Sequence, residues 1–178
     1  MAAILYAIVA LKVLMARKRK LVDYTVRFWQ LGLSQLIAAS LLALSLIFAE
    51  GGSWRTPVES LLGLVFALGF VLSVMLGMLQ RIAPFLIYLH LQRMTVANPQ
   101  VMMVKLPHMK ALIPTERSRW QYRLQLVLLP SIYLAPWVPW MAVVAGLLLV
   151  ATFGWLAYCL WAAWRQYQWV ESEMRAPS

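Results

Sequence analysis

The chain has 178 residues, of which 63% are hydrophobic and 12% charged, and its mean hydropathy is +0.74. A soluble domain is about 45–50% apolar and about 25% charged, so this composition excludes an ordinary water-soluble fold and favours an integral membrane protein. The net charge of +10 lies between apolar runs, which indicates topology-setting charge at an anionic leaflet rather than nucleic-acid binding. The single cysteine, Cys159, excludes an internal disulfide and any multi-cysteine metal site.

The first apolar segment covers about residues 2–16 and precedes the basic run at residues 17–20. A secretory signal peptide has its positive charge before the apolar stretch, so this order favours an uncleaved helix with the N-terminus outside. The segment is short for a spanning helix, which needs roughly 17–25 residues. It is therefore either a thin span or the end of a helix whose beginning is missing.

The second predicted span covers residues 27–48, and Gln35 is its deepest polar side chain. We expect Gln35 to form an interhelical hydrogen bond. The third predicted span, residues 58–79, has the strongest helix-packing signal, because small residues recur along it at spacings that permit close helix approach. The predicted packing residues are Gly63, Ala67, Gly69, Ser73 and Gly77.

A long aqueous segment, predicted as a cytoplasmic loop over about residues 80–121, follows the third span. Pro84 should kink the helix or start a new one. The flanking Arg81 and Arg93 indicate a helical extension or an interfacial helix, which includes His90. Further breaks are expected in this segment at Pro99, Pro107 and Pro114.

Two last spans, residues 122–135 and 138–164, are predicted to form a helical hairpin around a proline-rich turn. Trp137 and Trp140 in that turn are expected to anchor it at a membrane interface. The fold prediction is thus an all-α, polytopic bundle of about five spans in a single domain covering residues 1–178. Counting Lys and Arg in alternate loops places the N-terminus outside and the C-terminus in the cytoplasm, and a four-span model is the alternative.

The residues that carry chemistry are few. His90 and His108 are weak metal-ligand candidates, because no cysteine or carboxylate stands at ligand spacing beside them. No predicted span contains a histidine that could ligate haem, and there is no phosphate-binding loop, nucleophile–base arrangement or carboxylate pair. We therefore predict no catalytic residue, no metal site and no cofactor held by this chain alone.

Residues 77–91, with the sequence GMLQRIAPFLIYLHL, resemble a segment of bacterial polytopic proteins related to haem–copper oxidase subunit I and to NnrS-type membrane proteins. The sequences YTVRFW at residues 24–29 and PHMK at 107–110 also fit this resemblance, as does the closing hairpin. The resemblance implies a location in the bacterial inner membrane, a chain equivalent to the C-terminal part of such a protein, and haem in a larger assembly. It assigns no cofactor role to any residue here, since the intramembrane histidines of that group are missing.

Three functions follow as hypotheses. The first is a non-catalytic membrane subunit, or C-terminal helical domain, that packs its small residues against other membrane helices in a respiratory-type complex. The second is a small-solute transporter or channel component that uses Gln35 and the helix break at Pro84. The third is an enzyme with a cytoplasmic metal site at His90 and His108.

Overall fold

The computed structural model describes residues 2–16, 23–48, 54–97 and 112–175, and the elements found in these ranges are helices. The fold is therefore all-α, as predicted. The bounds of the helices are α1 Ala2–Met15, α2 Tyr24–Phe48, α3 Arg55–Leu64, a π-helical segment Val65–Val71, α4 Leu72–Ala97, α5 Thr115–Leu134 and α6 Pro139–Arg175.

Within the described ranges, three helical stretches are long and apolar enough to cross a membrane: Tyr24–Ile47, Arg55–Thr95 and Pro139–Met174. Helix α1 is apolar but only 14 residues long, and α5 carries Glu116 and three arginines in its first half. Helix α1 is therefore too short, and α5 too polar in its first half, to count among these candidate spans. The five-span count and the orientation stay predictions.

The third span continues beyond its predicted end. The chain is helical from Arg55 through the π-helical segment to Ala97, and Pro84 lies inside α4 without ending it. A proline removes one backbone hydrogen bond, and apolar helices tolerate that loss where neighbouring groups compensate. Consequently the first part of the predicted loop at residues 80–121 is helical; Pro99 and Pro107 lie outside the described residues.

Helix α2 lies at the centre of the fold. Ala7 of α1 packs against Leu33 and Leu36 of α2. On another side, Phe28 of α2 joins the largest apolar core. That core draws on α2, α4, α5 and α6, and its buried members are Phe28, Leu72, Leu76, Leu128, Ile132, Ala145 and Leu156.

Helices α5 and α6 form the predicted antiparallel hairpin. The turn between them closes with the amide of Val138 donating to the Leu134 carbonyl at 3.0 Å. Near the other end of the hairpin, the Trp155 indole donates to the Arg117 carbonyl at 3.1 Å. Helix α6 continues to Arg175, past the predicted end at residue 164, and its last turns pack on the end of α4 through Leu91, Tyr167 and Val170.

Candidate functional site

The glycines between α2 and the α3–α4 stretch allow the two backbones to approach closely. A Cβ on Gly77 would lie 2.9 Å from Phe28 Cβ, and one on Gly69 would lie 3.1 Å from Gln35 Cβ. From the opposite side, a Cβ on Gly32 would lie 2.9 Å from Val74 Cγ2. Gly69 and Gly77 therefore contact a helix of their own chain, and a partner helix would have to use another face.

Two predicted packing residues lie elsewhere. Gly63 and Ala67 are exposed, and nothing lies within 4 Å of a Cβ placed on Gly63. Gly146 and Gly154 of α6 share this property. Together with Val150 and Ala157 they form an exposed line along α6, which we name the outer strip.

Ser73 belongs to a polar interior that the sequence did not reveal. It is fully buried, and its hydroxyl accepts a hydrogen bond of 3.0 Å from Nε2 of the equally buried Gln125. The same Nε2 donates to the Leu68 carbonyl at 2.9 Å. Leu68 lies in the π-helical segment, a form of helix that occurs frequently at functional sites. Gln125 thus joins α5 to the irregular part of the neighbouring helix.

Further hydrogen bonds extend this polar interior in both directions along α5. One turn before Gln125, Nε2 of the buried Gln121 donates to the Thr152 carbonyl of α6 at 2.9 Å. Two turns after it, the Tyr133 hydroxyl donates to Gln35 Oε1 at 2.8 Å. The predicted interhelical hydrogen bond of Gln35 is confirmed by this contact.

Four buried polar atoms of this interior have no hydrogen-bond partner: Oε1 of Gln80, Gln121 and Gln125, and Oγ1 of Thr152. The amides of Gln121 and Gln125 cannot simply be reversed, because each Nε2 faces a carbonyl that needs a donor. Thr152 also differs from Ser40, Ser60 and Thr95, whose hydroxyls bond back to the carbonyl four residues earlier. The interior therefore offers acceptors to small hydrogen-bond donors.

Sequence reasoning missed Gln121, which lies in the predicted cytoplasmic loop, and Gln125, which lies near the start of the predicted fourth span close to Arg123. Their spacing of four residues was the available signal, since it places both side chains on one helix face. Within the hairpin that face is turned toward α4 and α6, while Arg123 on the other side of α5 is exposed.

The predicted interface residues lie at the surface, except for the proline. Arg81 and His90 are exposed, whereas Pro84 is buried. Trp137 and Trp140 are 53% and 60% exposed, which suits an interfacial position. His90 has its ring 5.8 Å from that of Tyr167 at the far end of α4.

The metal candidates gain no support from the geometry. The described residues contain no group of three His, Cys, Asp or Glu side chains that could hold a metal ion, and His108 lies outside these residues. His90 is exposed, and its ring lies beside that of Tyr167.

Two grooves flank α4. The larger has a volume of about 580 Å³ and lies between α1, α2 and α4. The smaller, of about 430 Å³, lies between the ends of α4 and α6. Each contains one arginine in an otherwise mainly apolar and aromatic lining, Arg81 in the larger and Arg93 in the smaller.

No protein-family model matches the chain, and neither a curated protein nor a solved structure is significantly similar to it. The resemblance to haem–copper oxidase subunit I and NnrS-type proteins finds no support in these comparisons and stays a hypothesis.

Proposed function

We propose that the chain is a non-catalytic, membrane-embedded helical subunit that binds a helix of another membrane protein along the outer strip of α6. The observation that carries this proposal is that Gly146 and Gly154 lie on an exposed face, where no neighbouring helix or side chain of the described residues comes within 4 Å of their Cβ positions. Val150, between them, is 72% exposed.

A glycine in a helix interior is about 1 kcal/mol less favourable than alanine. Gly32, Gly69 and Gly77 are explained by the close approach of a neighbouring helix. Gly146 and Gly154 have no such explanation inside the chain. In membranes, small residues spaced along one helix face allow a second helix to pack closely, which is the contact that the outer strip permits.

The partner in this proposal is a second membrane protein. The resemblance of residues 77–91 implies the setting, which is a respiratory-type complex in the bacterial inner membrane. The interior hydrogen bonds of Gln35, Gln121 and Gln125 then have a structural role. They hold α2, α5 and α6 in one register, so that the outer strip is presented by a fixed bundle.

The test is co-purification from the native membrane in mild detergent, with the size of the complex measured on a native gel. Replacing Gly146 and Gly154 together by leucine should shift the chain to the size of the free subunit. The matched control is Ala151→Leu, exposed on α6 but outside the outer strip. A complex that survives the double substitution unchanged would end the proposal.

A small-solute transporter or channel component is a second candidate, and the unpartnered buried oxygens favour it. A transported hydrogen-bond donor would satisfy Oε1 of Gln121 and Gln125 during passage. The measurement is flux of small polar solutes into liposomes that contain this chain alone. A solute flux that Gln121→Leu abolishes would favour the transporter function. A flux no higher than that into protein-free liposomes would exclude it.

A further inference from the structure

The arginine side chains that the structure describes divide into two groups. In the first group the guanidinium has a partner inside the chain. Arg27, Arg117, Arg123 and Arg165 each lie over an aromatic ring, Arg119 donates to the Tyr24 hydroxyl, and Arg55 pairs with Glu59.

The second group contains Arg81 and Arg93, which form no ion pair, hydrogen bond or ring contact with any described residue. Each of the two lines one of the grooves beside α4. Among the arginines whose side chains the structure describes, those without an internal partner are therefore those that line open grooves. This coincidence points to an anionic ligand supplied from outside the chain.

The groove at Arg81 has the shape and lining of an amphiphile site. It is lined by α1, α2 and α4, and apart from Arg81 and Thr25 its side chains are apolar or aromatic: Ala10, Val13, Leu14, Val26, Trp29, Leu33, Met78 and Ile82. A volume of about 580 Å³ falls in the range of roughly 300–1,000 Å³ that is usual for small-molecule sites.

The groove also has a polar end and an apolar end. Helices α1 and α2 run antiparallel: Ala7 shares a buried cluster with Leu36, while Leu14 lines the groove together with Thr25 at the start of α2. Arg81 lies toward this end, one turn beyond Gly77, which approaches the Thr25 carbonyl. From there the lining runs toward Ala10 and Leu33. A ligand with its charge on Arg81 would direct an apolar tail along the groove.

We propose that this groove binds one phospholipid with an anionic headgroup, its phosphate on the Arg81 guanidinium and an acyl chain between α1, α2 and α4. Guanidinium groups bind phosphate oxygens through paired, charge-assisted hydrogen bonds. Basic pockets between membrane helices bind anionic lipid headgroups in this manner. Trp29 in the same groove supplies an amphipathic ring of the kind that favours the headgroup level.

The proposal shares with the proposed function the placement of the bundle in a membrane, but it needs no protein partner. It is tested on the isolated full chain in mild detergent by native mass spectrometry, with phosphatidylglycerol and phosphatidylcholine of identical acyl chains. We expect phosphatidylglycerol to bind roughly five-fold more tightly, the factor expected for one arginine near a membrane surface.

Arg81→Gln should reduce this preference to near parity, and Arg81→Lys, which keeps the charge, should retain most of it. Arg123→Gln is the matched control, because it removes the same charge from an exposed arginine that already lies over Trp120. A groove-filling substitution, Ala10→Phe, should weaken the binding of both lipids.

The proposal is overturned if Arg81→Gln leaves the lipid preference intact, or if Arg123→Gln lowers it equally. Displacement of phosphatidylglycerol by inorganic phosphate at equal concentration would show an anion site without a lipid site, and would also overturn it. The Gly146→Leu and Gly154→Leu substitutions should not affect any of these results, so loss of the partner complex and loss of lipid binding are separable.

Discussion

The glycines that face inward and those that face outward have opposite surroundings. On the inward side, Gly32, Gly69 and Gly77 each lie so close to an atom of a neighbouring helix that an added Cβ would meet it at 2.9–3.1 Å. On the outward side, Gly63, Gly146 and Gly154 have open space at the Cβ position. The same residue type thus permits packing within the chain in one region and leaves a free face in the other.

A small-residue pattern therefore indicates that a second helix can approach closely, but it does not identify whether that helix belongs to the same chain or to a partner. Lipid gives little hydrophobic driving force between helices, so packing and polar contacts decide association. The inward region has both: tight glycine contacts and the hydrogen bonds of Gln35 and Gln125. The outward region has only the shape for packing, and its polar contacts would have to come from a partner.

The largest expected effect separates the two regions directly. Gly77→Leu should destabilise the isolated chain by about 3 kcal/mol, because the new side chain meets Phe28 on a neighbouring helix and overpacks the core. Gly146→Leu should not destabilise the isolated chain and should stabilise it by up to about 1 kcal/mol, because leucine is the better helix former and the Cβ position is open. Unfolding in mixed detergent micelles measures both. If the two substitutions destabilise the chain equally, the inward and outward glycines do not differ in their packing.

A smaller loss is expected from the polar interior. Gln125→Leu removes hydrogen bonds to the Leu68 carbonyl and the Ser73 hydroxyl while keeping a similar volume. The expected destabilisation is about 1–2 kcal/mol, within the range for buried hydrogen bonds and for polar contacts between membrane helices. Gln168→Leu, at an exposed position of α6, is the control. If Gln125→Leu is as stable as this control, the hydrogen bonds of Gln125 do not stabilise the fold.

A single neutral hydrogen bond should contribute less. Tyr133→Phe removes only the hydroxyl that donates to Gln35 Oε1, and the expected loss is about 0.6 kcal/mol, the average for interhelical hydrogen bonds in a membrane protein. Tyr158→Phe provides the reference, since its ring contacts Arg117 and Trp155 and its hydroxyl forms no hydrogen bond with described residues. The same micelle assay should rank Tyr133→Phe below Gln125→Leu in its effect.

The smallest effect is expected at the surface pair Arg55–Glu59. Its atoms lie 2.8 Å apart, but both side chains are about half exposed. Glu59→Gln should therefore change stability by less than about 0.5 kcal/mol, with little dependence on salt. A loss larger than that of Gln125→Leu would reverse the ranking of surface and interior contacts.

Much of the fold could be predicted from the apolar runs and from the prolines and tryptophans that mark the turns between them. Residues 27–48 lie within α2 and residues 138–164 fall almost entirely within α6, and Pro136 with Trp137 marks the turn of the hairpin. The helix through Pro84 was less predictable, because a proline predicts a break from local chemistry whereas the surrounding apolar helix tolerates it. Length alone could not locate the end of α4, since the helix continues past the polar residues His90, Gln92 and Arg93.

The candidate site was predictable only in part. Gln35 was identified because it is the polar side chain farthest from the ends of its predicted span, whereas Gln121 and Gln125 stand close to the arginines of α5. Small-residue spacing selected Gly69, Ser73 and Gly77 but could not distinguish them from Gly63, because which side of a helix faces its own chain depends on tertiary packing. The free guanidinium of Arg81 likewise depends on which aromatic rings the fold brings to the other arginines.

The most direct test of the outer strip is photo-crosslinking from Val150 in the native membrane, with benzoylphenylalanine at that position and, as a reference, at the exposed Val127 of α5. We expect a defined protein adduct from Val150, which disappears when Gly146 and Gly154 are replaced by leucine, and no protein adduct from Val127. Lipid adducts alone at Val150 would show that the outer strip faces the bilayer and not a partner helix.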